Sequence, residues 1–277
     1  MEPRPATVPS PPGPPEGAET VALLGGVYSN HLALAEALRD ARRRGAEAMY
    51  CLRDLGAFGP HPDRVFPLLE ESGVACLQGN YDHSIGNGLA DCRCGYTDPR
   101  DNHYASLSHR YTLENTSPRN RRLLASLPAG FRFEMAGRRV LLCHGSPRRT
   151  NEFLWESATP DGFLEKLMLD HQADAIFATH TGIKWRRSLP SGRLFANVGV
   201  LGRPENDGDT RVWYALLRAP GGKIEVEFVP VEYDHAALAR EMREESLPEE
   251  FVETILTGWW TTCLEVLPAK ERARGKN

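Results

Sequence analysis

Short apolar runs alternate along this chain with stretches in which apolar residues return every three or four positions. Residues 21–24 are continuously apolar, the pattern of a strand buried on both faces. Leu34, Leu38 and Ala41 give 32–44 a helical period, and Gly45 supplies a stop signal. Runs at 46–52 and 74–78 read as the second and third strands, with a helix over 62–72 between them. Strand, helix, strand, helix, strand implies βαβ units around a parallel sheet. Right-handed crossovers then place the loops after these strands along one edge, where open α/β sheets bind ligands.

Residues 80–102 read as a long irregular loop rich in Gly, Asp and Cys, and loops of that length are usually functional or disordered. Helical stretches follow at 102–111 and 118–126. Segments 131–135 and 138–143 then form a hairpin turned at Ala136-Gly137. A helix is predicted over 161–171 and strands over 175–178, 194–198, 212–217 and 224–230. The last of these alternates Ile224, Val226 and Phe228 with Glu225 and Glu227, as a half-exposed strand does. Residues 235–263 read as two helices broken near Ser246-Leu247-Pro248, and the basic stretch 270–276 as frayed. Residues 1–19, dominated by Pro, Gly, Ala and Glu, cannot bury enough apolar area to offset ordering entropy and read as a disordered tail. The expected organisation is a tail over 1–19, an α/β domain over 20–232 and a C-terminal helical extension over 233–277.

Composition adds boundaries rather than chemistry. With 277 residues, 41% hydrophobic and 25% charged, the chain suffices for one sizeable domain. A net charge of −4 gives no general footprint for nucleic acid or anionic membrane. There is no apolar run of the roughly eighteen residues that a membrane helix needs. The N-terminus lacks the apolar core of a secretory signal, so a cytoplasmic protein is expected. Of six cysteines, Cys51, Cys76 and Cys143 lie in apolar strand-like runs, which suits free thiols in a reducing compartment. Cys92 and Cys94 form a Cys-x-Cys pair that suits a soft metal, a redox site or an ordinary reduced loop. His83, His103 and Asp98 lie near enough in sequence to complete such a site. The Trp259-Trp260 pair reads either as a partner surface or as packing of the C-terminal helix. A homo-oligomer is compatible with the sequence.

Candidate chemistry concentrates where apolar runs end: Gly26-Val27-Tyr28-Ser29-Asn30, Arg53-Asp54, Gly79-Asn80-Tyr81-Asp82, His144-Gly145-Ser146-Pro147 and Thr179-His180-Thr181-Gly182. A carboxylate, an amide oxygen and two imidazoles at strand ends are donors suited to Mn, Fe or Zn. In order and spacing these loops resemble the calcineurin-like metallophosphoesterases, in particular their bacterial phosphodiesterase-like branch. The likeness runs from about Val21 to Leu217. It includes the Leu141-Leu142-Cys143-His144-Gly145-Ser146-Pro147 strand end and the segment Phe195-Ala196-Asn197-Val198-Gly199-Val200-Leu201-Gly202-Arg203-Pro204.

The resemblance implies an α/β fold, a four-layer αββα sandwich of two mixed sheets flanked by helices. It also implies one divalent metal ion held by Asp54, Asn80, His144 and His180. Tyr81, where the family often has His, and Asp82 beside it become candidate catalytic residues, although loop packing explains Tyr81 as well. Asn30 and Arg53 become candidate phosphate-binding residues. Three expected ligands of a second metal are replaced, because Gly26 and Tyr28 stand in the family's Asp-x-His motif and Gly182 stands in place of a final His. A second metal is therefore not expected. The implied function is hydrolysis of a phosphomonoester or phosphodiester, with a small phosphate ester or nucleotide as partner. The alternative is a catalytically weak or inactive homologue that binds a ligand or a protein. A different metal enzyme using Tyr28 or the cysteines as ligands is a third reading.

Overall fold

The computed structural model describes residues 13–273, so most of the tail expected at 1–19 and the end of the basic stretch lie outside the described residues. The strands are β1 (Thr20–Leu24), β2 (Ala48–Cys51), β3 (Ala75–Cys76), β4 (Gly130–Met135), β5 (Arg138–Cys143), β6 (Ala175–Ala178), β7 (Trp185–Ser188), β8 (Leu194–Asn197), β9 (Val212–Arg218) and β10 (Glu225–Val231). The helices are α1 (His31–Arg43), α2 (Val65–Glu71), α3 (Asn80–Gly86), α4 (Pro99–Asn115), α5 (Pro118–Ala125), α6 (Asp161–Asp170), α7 (His235–Glu244), α8 (Glu249–Thr257) and α9 (Ala269–Ala273).

Two five-stranded mixed sheets result, ordered β10-β9-β1-β2-β3 and β4-β5-β6-β8-β7. In the first, β1, β2 and β3 run parallel, and β9 and β10 continue the sheet antiparallel. In the second, β5, β6 and β8 run parallel between antiparallel edges β4 and β7.

The continuous apolar run of β1 explains the layering. Val21 and Leu23 point between the sheets, where they meet Phe131, Leu142, Phe177 and Leu217. Ala22 and Leu24 point the other way, into a core shared with Leu34 and Leu38 of α1 and Phe251 and Ile255 of α8. On the far side, Leu164, Leu167 and Met168 of α6 pack on Leu141 and Ile176. The order helix, sheet, sheet, helix is the αββα sandwich that the sequence implied. The helices after residue 232 complete the same core as α1, since Leu238, Met242, Val252 and Phe251 join it.

Local chemistry accounts for the main differences from the sequence reading. The segment read as irregular from residue 80 opens with α3. The Asp82 carboxylate accepts the Gly79 N–H at 2.8 Å, a helix-start bond formed three positions into the turn. Helix α4 starts at Pro99, earlier than expected, because Asp98 Oδ1 accepts Arg100 N at 2.8 Å and Pro suits the first helical position. Strand β7 was missed because Arg186 and Arg187 interrupt its apolar pattern. It is an edge strand on which only Trp185 faces fully inward. The basic stretch read as frayed begins in α9, where Glu271 accepts Ser157 N at 2.8 Å. The hairpin turn lies where expected, with Ala136 and Gly137 both at positive φ (52° and 69°), the mirror-type turn that matches strand twist.

Candidate metal centre

Both sheets send the carboxyl ends of their parallel strands to one place. Asp54 follows β2, and Asn80 begins α3 just beyond β3. His144 follows β5 and His180 follows β6. Asp54, His144 and His180 bring ligand atoms within 4.8 Å of one another, the one such group of His, Cys, Asp or Glu side chains among the described residues. Asn80 joins them, its Oδ1 lying 3.0 Å from His144 Nε2.

The outer hydrogen bonds fix which atom of each ligand faces inward. His144 Nδ1 donates to Leu52 O at 2.8 Å, so Nε2 turns to the centre. His180 Nε2 donates to Cys94 O at 3.2 Å, so Nδ1 turns to the centre. Asn80 Nδ2 donates to Cys92 O at 2.9 Å, which aims Oδ1 inward. Asp54 Oδ1 accepts Tyr81 N at 3.1 Å, and Oδ2 lies 3.3 Å from His144 Nε2. Backbone carbonyls that hold the far nitrogen of each imidazole are the usual support of a metal-binding histidine.

With these tautomers, His144 Nε2 and His180 Nδ1 face each other at 3.0 Å with lone pairs on both. An amide oxygen and a carboxylate oxygen point at the same spot. Four converging acceptors can share one cation, and two imidazoles, a carboxylate and an amide oxygen suit a borderline divalent ion. The donor set therefore fits the metal that the fold implies.

The charges of the cluster depend on one another. Burial pushes the Asp54 carboxyl up, but the adjacent His144 and His180 outweigh it and hold the group below its ordinary range. Burial also disfavours charge on His144, yet Asp54 beside it leaves the net shift upward. His180, desolvated and next to His144, is pushed down to about 3 and stays neutral.

The remaining sequence candidates fall in different places. Tyr81 lines the pocket over the centre, and its hydroxyl donates to Ala105 O at 3.2 Å. Burial raises its pKa, so the phenol stays protonated. Asp82 does not line this pocket. It accepts Leu55 N at 3.0 Å and Gly79 N at 2.8 Å, tying together the loops that carry Asp54 and Asn80. Asn30 and Arg53, expected to hold phosphate, are likewise absent from the pocket wall. Asn30 caps α1, accepting Ala33 N at 3.0 Å, and donates to Leu201 O. Arg53 is 1% exposed, lies 3.6 Å from Asp82 and holds a positive φ of 73°. Both side chains are buried beneath the pocket rather than in its wall.

Cys92 and Cys94 are disulfide-bonded to each other rather than reduced, and their loop folds over the centre. His83, His103 and Asp98 do not join them: the two histidines are exposed and Asp98 caps α4. Side-chain volume is built differently where Gly26 and Gly182 stand. A Cβ at Gly26 would lie 2.7 Å from the Tyr28 ring, and one at Gly182 would lie 3.4 Å from Trp260 and 3.8 Å from Arg203 Nη2. Trp260 is buried and donates to Pro204 O at 2.6 Å, so it serves packing.

Sequence reasoning missed part of the pocket wall, namely Tyr96, Arg203, Phe251, Thr262 and Cys263. Arg203 lay inside a segment already singled out, and its apolar surroundings were the available signal.

Fold and centre together define the class: the chain has the calcineurin-like metallophosphoesterase fold, with a candidate Asp-His-His metal site between its sheets. It is 25% identical to the metallophosphoesterase from Sphaerobacter thermophilus, whose crystal structure matches with a TM-score of 0.66 over 87% of this chain and 99% of that one. The hypothetical protein PH1004 from Pyrococcus horikoshii OT3 shares the fold at a TM-score of 0.73 and 21% identity, over 87% of this chain and 99% of that one. The uncharacterized protein MJ0912 of Methanocaldococcus jannaschii is 25% identical over 252 residues, 86% of this chain and 98% of that protein. No family model matches the chain.

Proposed function

We propose that this protein is a metal-dependent phosphoesterase working with a single divalent ion, Mn, Fe or Zn, on a small phosphate ester. The observation that carries the reading is the convergence of Asp54, Asn80, His144 and His180 on one point, drawn from both sheets.

A divalent ion bound there supplies Lewis-acid polarisation of a phosphoryl oxygen. The chain's own residues do the rest. Asp82 is a positioning residue, because its two backbone hydrogen bonds fix the spacing between Asp54 and Asn80. Tyr81 is also a positioning residue: Ala105 O holds its hydroxyl at the pocket wall, and its backbone N–H fixes Asp54 Oδ1. Phe58, Tyr96 and Phe251 supply apolar wall to the pocket over the centre.

The test measures metal per chain by elemental analysis on protein purified without added metal, together with hydrolysis of aryl phosphomonoesters and phosphodiesters. About one ion per chain is expected, with both metal and turnover lost in His144→Ala. Metal without turnover in the unaltered chain would favour a binding protein on this scaffold, a reading that the Tyr28 ring packed against Gly26 supports. Neither metal nor turnover after reconstitution would overturn the proposal.

A further inference from the structure

Arg203 is a cation without a counterion. It is 7% exposed and its Nε has no hydrogen-bond partner. Among the described residues no carboxylate forms an ion pair with it. Its neighbours are aromatic faces: the guanidinium carbon lies 3.5 Å from the Trp260 ring centre, 5.8 Å from Phe58 and 6.0 Å from Tyr28. Cation–π contacts of this kind offset only part of the cost of taking a guanidinium out of water. Guanidinium groups buried this deeply are normally paired with an anion.

The same side chain forms part of the wall of the pocket that holds Asp54, Asn80 and His180. The cavity offers about 50 Å³, the scale of a few waters, since one water needs about 10–15 Å³. That is room for a phosphoryl group beside Arg203, with the pocket open to solvent beyond it. The planar fork of Arg matches two oxygens of a phosphate.

We propose that Arg203 is the phosphate-binding residue of this site and that, with the metal, it selects a phosphoryl dianion, the terminal group of a phosphomonoester or inorganic phosphate, over a diester. The proposal rests on the metal-centre reading for its second anchor. A dianion offers oxygens to both cations and a charge that two cations balance. A diester carries one charge and has only two unesterified oxygens to share between the two cations.

The test titrates manganese-loaded protein by calorimetry with inorganic phosphate, phenyl phosphate and dimethyl phosphate, comparing the unaltered chain with Arg203→Gln and Arg203→Lys. Arg203→Gln should weaken phosphate and phenyl phosphate about tenfold or more, the scale of a lost charge-assisted fork, with metal content unchanged. Arg203→Lys should fall between, since it keeps the charge and loses the fork. Dimethyl phosphate should bind the unaltered chain at least about tenfold more weakly than phosphate. Unchanged phosphate binding in Arg203→Gln, no phosphate binding by the unaltered chain, or equal binding of dimethyl phosphate would each overturn the proposal.

If the chain takes up no manganese, the metal reading fails by itself. The metal-free titrations then decide Arg203: loss of phosphate binding in the Gln variant upholds it, and no difference removes it. Near-ultraviolet circular dichroism checks that Arg203→Gln folds; if it does not, Arg203→Lys decides, and phosphate binding as tight as in the unaltered chain counts against the fork.

Discussion

Arg53 and His144 show how residues of one loop cluster divide between holding the site and forming it. Arg53 sits directly before Asp54, yet it is buried against Asp82 at 3.6 Å and supports the loops from behind. Removing one partner of a buried pair leaves the other charge uncompensated. Arg53→Ala is therefore expected to lower stability by about 3 kcal/mol or more in urea unfolding, and a loss under about 1 kcal/mol would mean Asp82 does not depend on it. The convergence of Asp54, Asn80, His144 and His180 was legible in the sequence because each follows an apolar run, and parallel strands bring their ends to one edge. Asn30 and Arg53 lie outside the pocket wall, because proximity in sequence does not say which way a side chain turns. Arg203 escaped notice because its burial depends on Trp260, contributed by a segment far along the chain.

At the scale of elements, hydrophobic period located most strands and helices, and turn chemistry located the hairpin at Ala136-Gly137. Charge and capping hid the rest: two arginines masked β7, and a side-chain bond from Asp82 started α3 inside what reads as loop. The loop after α3 has a task that its composition did not reveal. The carbonyls of Cys92 and Cys94 hold the far side of Asn80 and of His180. The disulfide fixes these two carbonyls relative to each other. Replacing both cysteines by serine is expected to weaken metal binding about tenfold, as loss of outer support does at other metal sites, with the fold intact. Competition with a chromogenic chelator measures it, and unchanged affinity would show that the loop merely covers the site.

Across the whole molecule the four layers are interlocked. The first sheet and α1 share one core with α7 and α8, so the helices after residue 232 are part of the fold's own packing, and Phe251, Thr262 and Cys263 also wall the pocket. Strand β1 lies at the middle of the first sheet and buries both faces, one toward each neighbouring layer. This much followed from the continuous apolar run at its start, whereas the closing role of the C-terminal segment did not, because nothing in its helical period says which surface it covers.

Asp54 and Asn80 descend from one sheet, His144 and His180 from the other. An ion between them is thus a rivet through the sandwich, and the two halves cannot part while it is in place. Thermal unfolding becomes a gauge of occupancy: with free metal a thousandfold above its dissociation constant, the loaded chain gains about 4 kcal/mol over the stripped one. Chelation should lower the melting temperature of the unaltered protein by several degrees and leave that of His144→Ala where it was. Equal melting curves with and without chelator would mean that the sheets are fastened by their side chains alone.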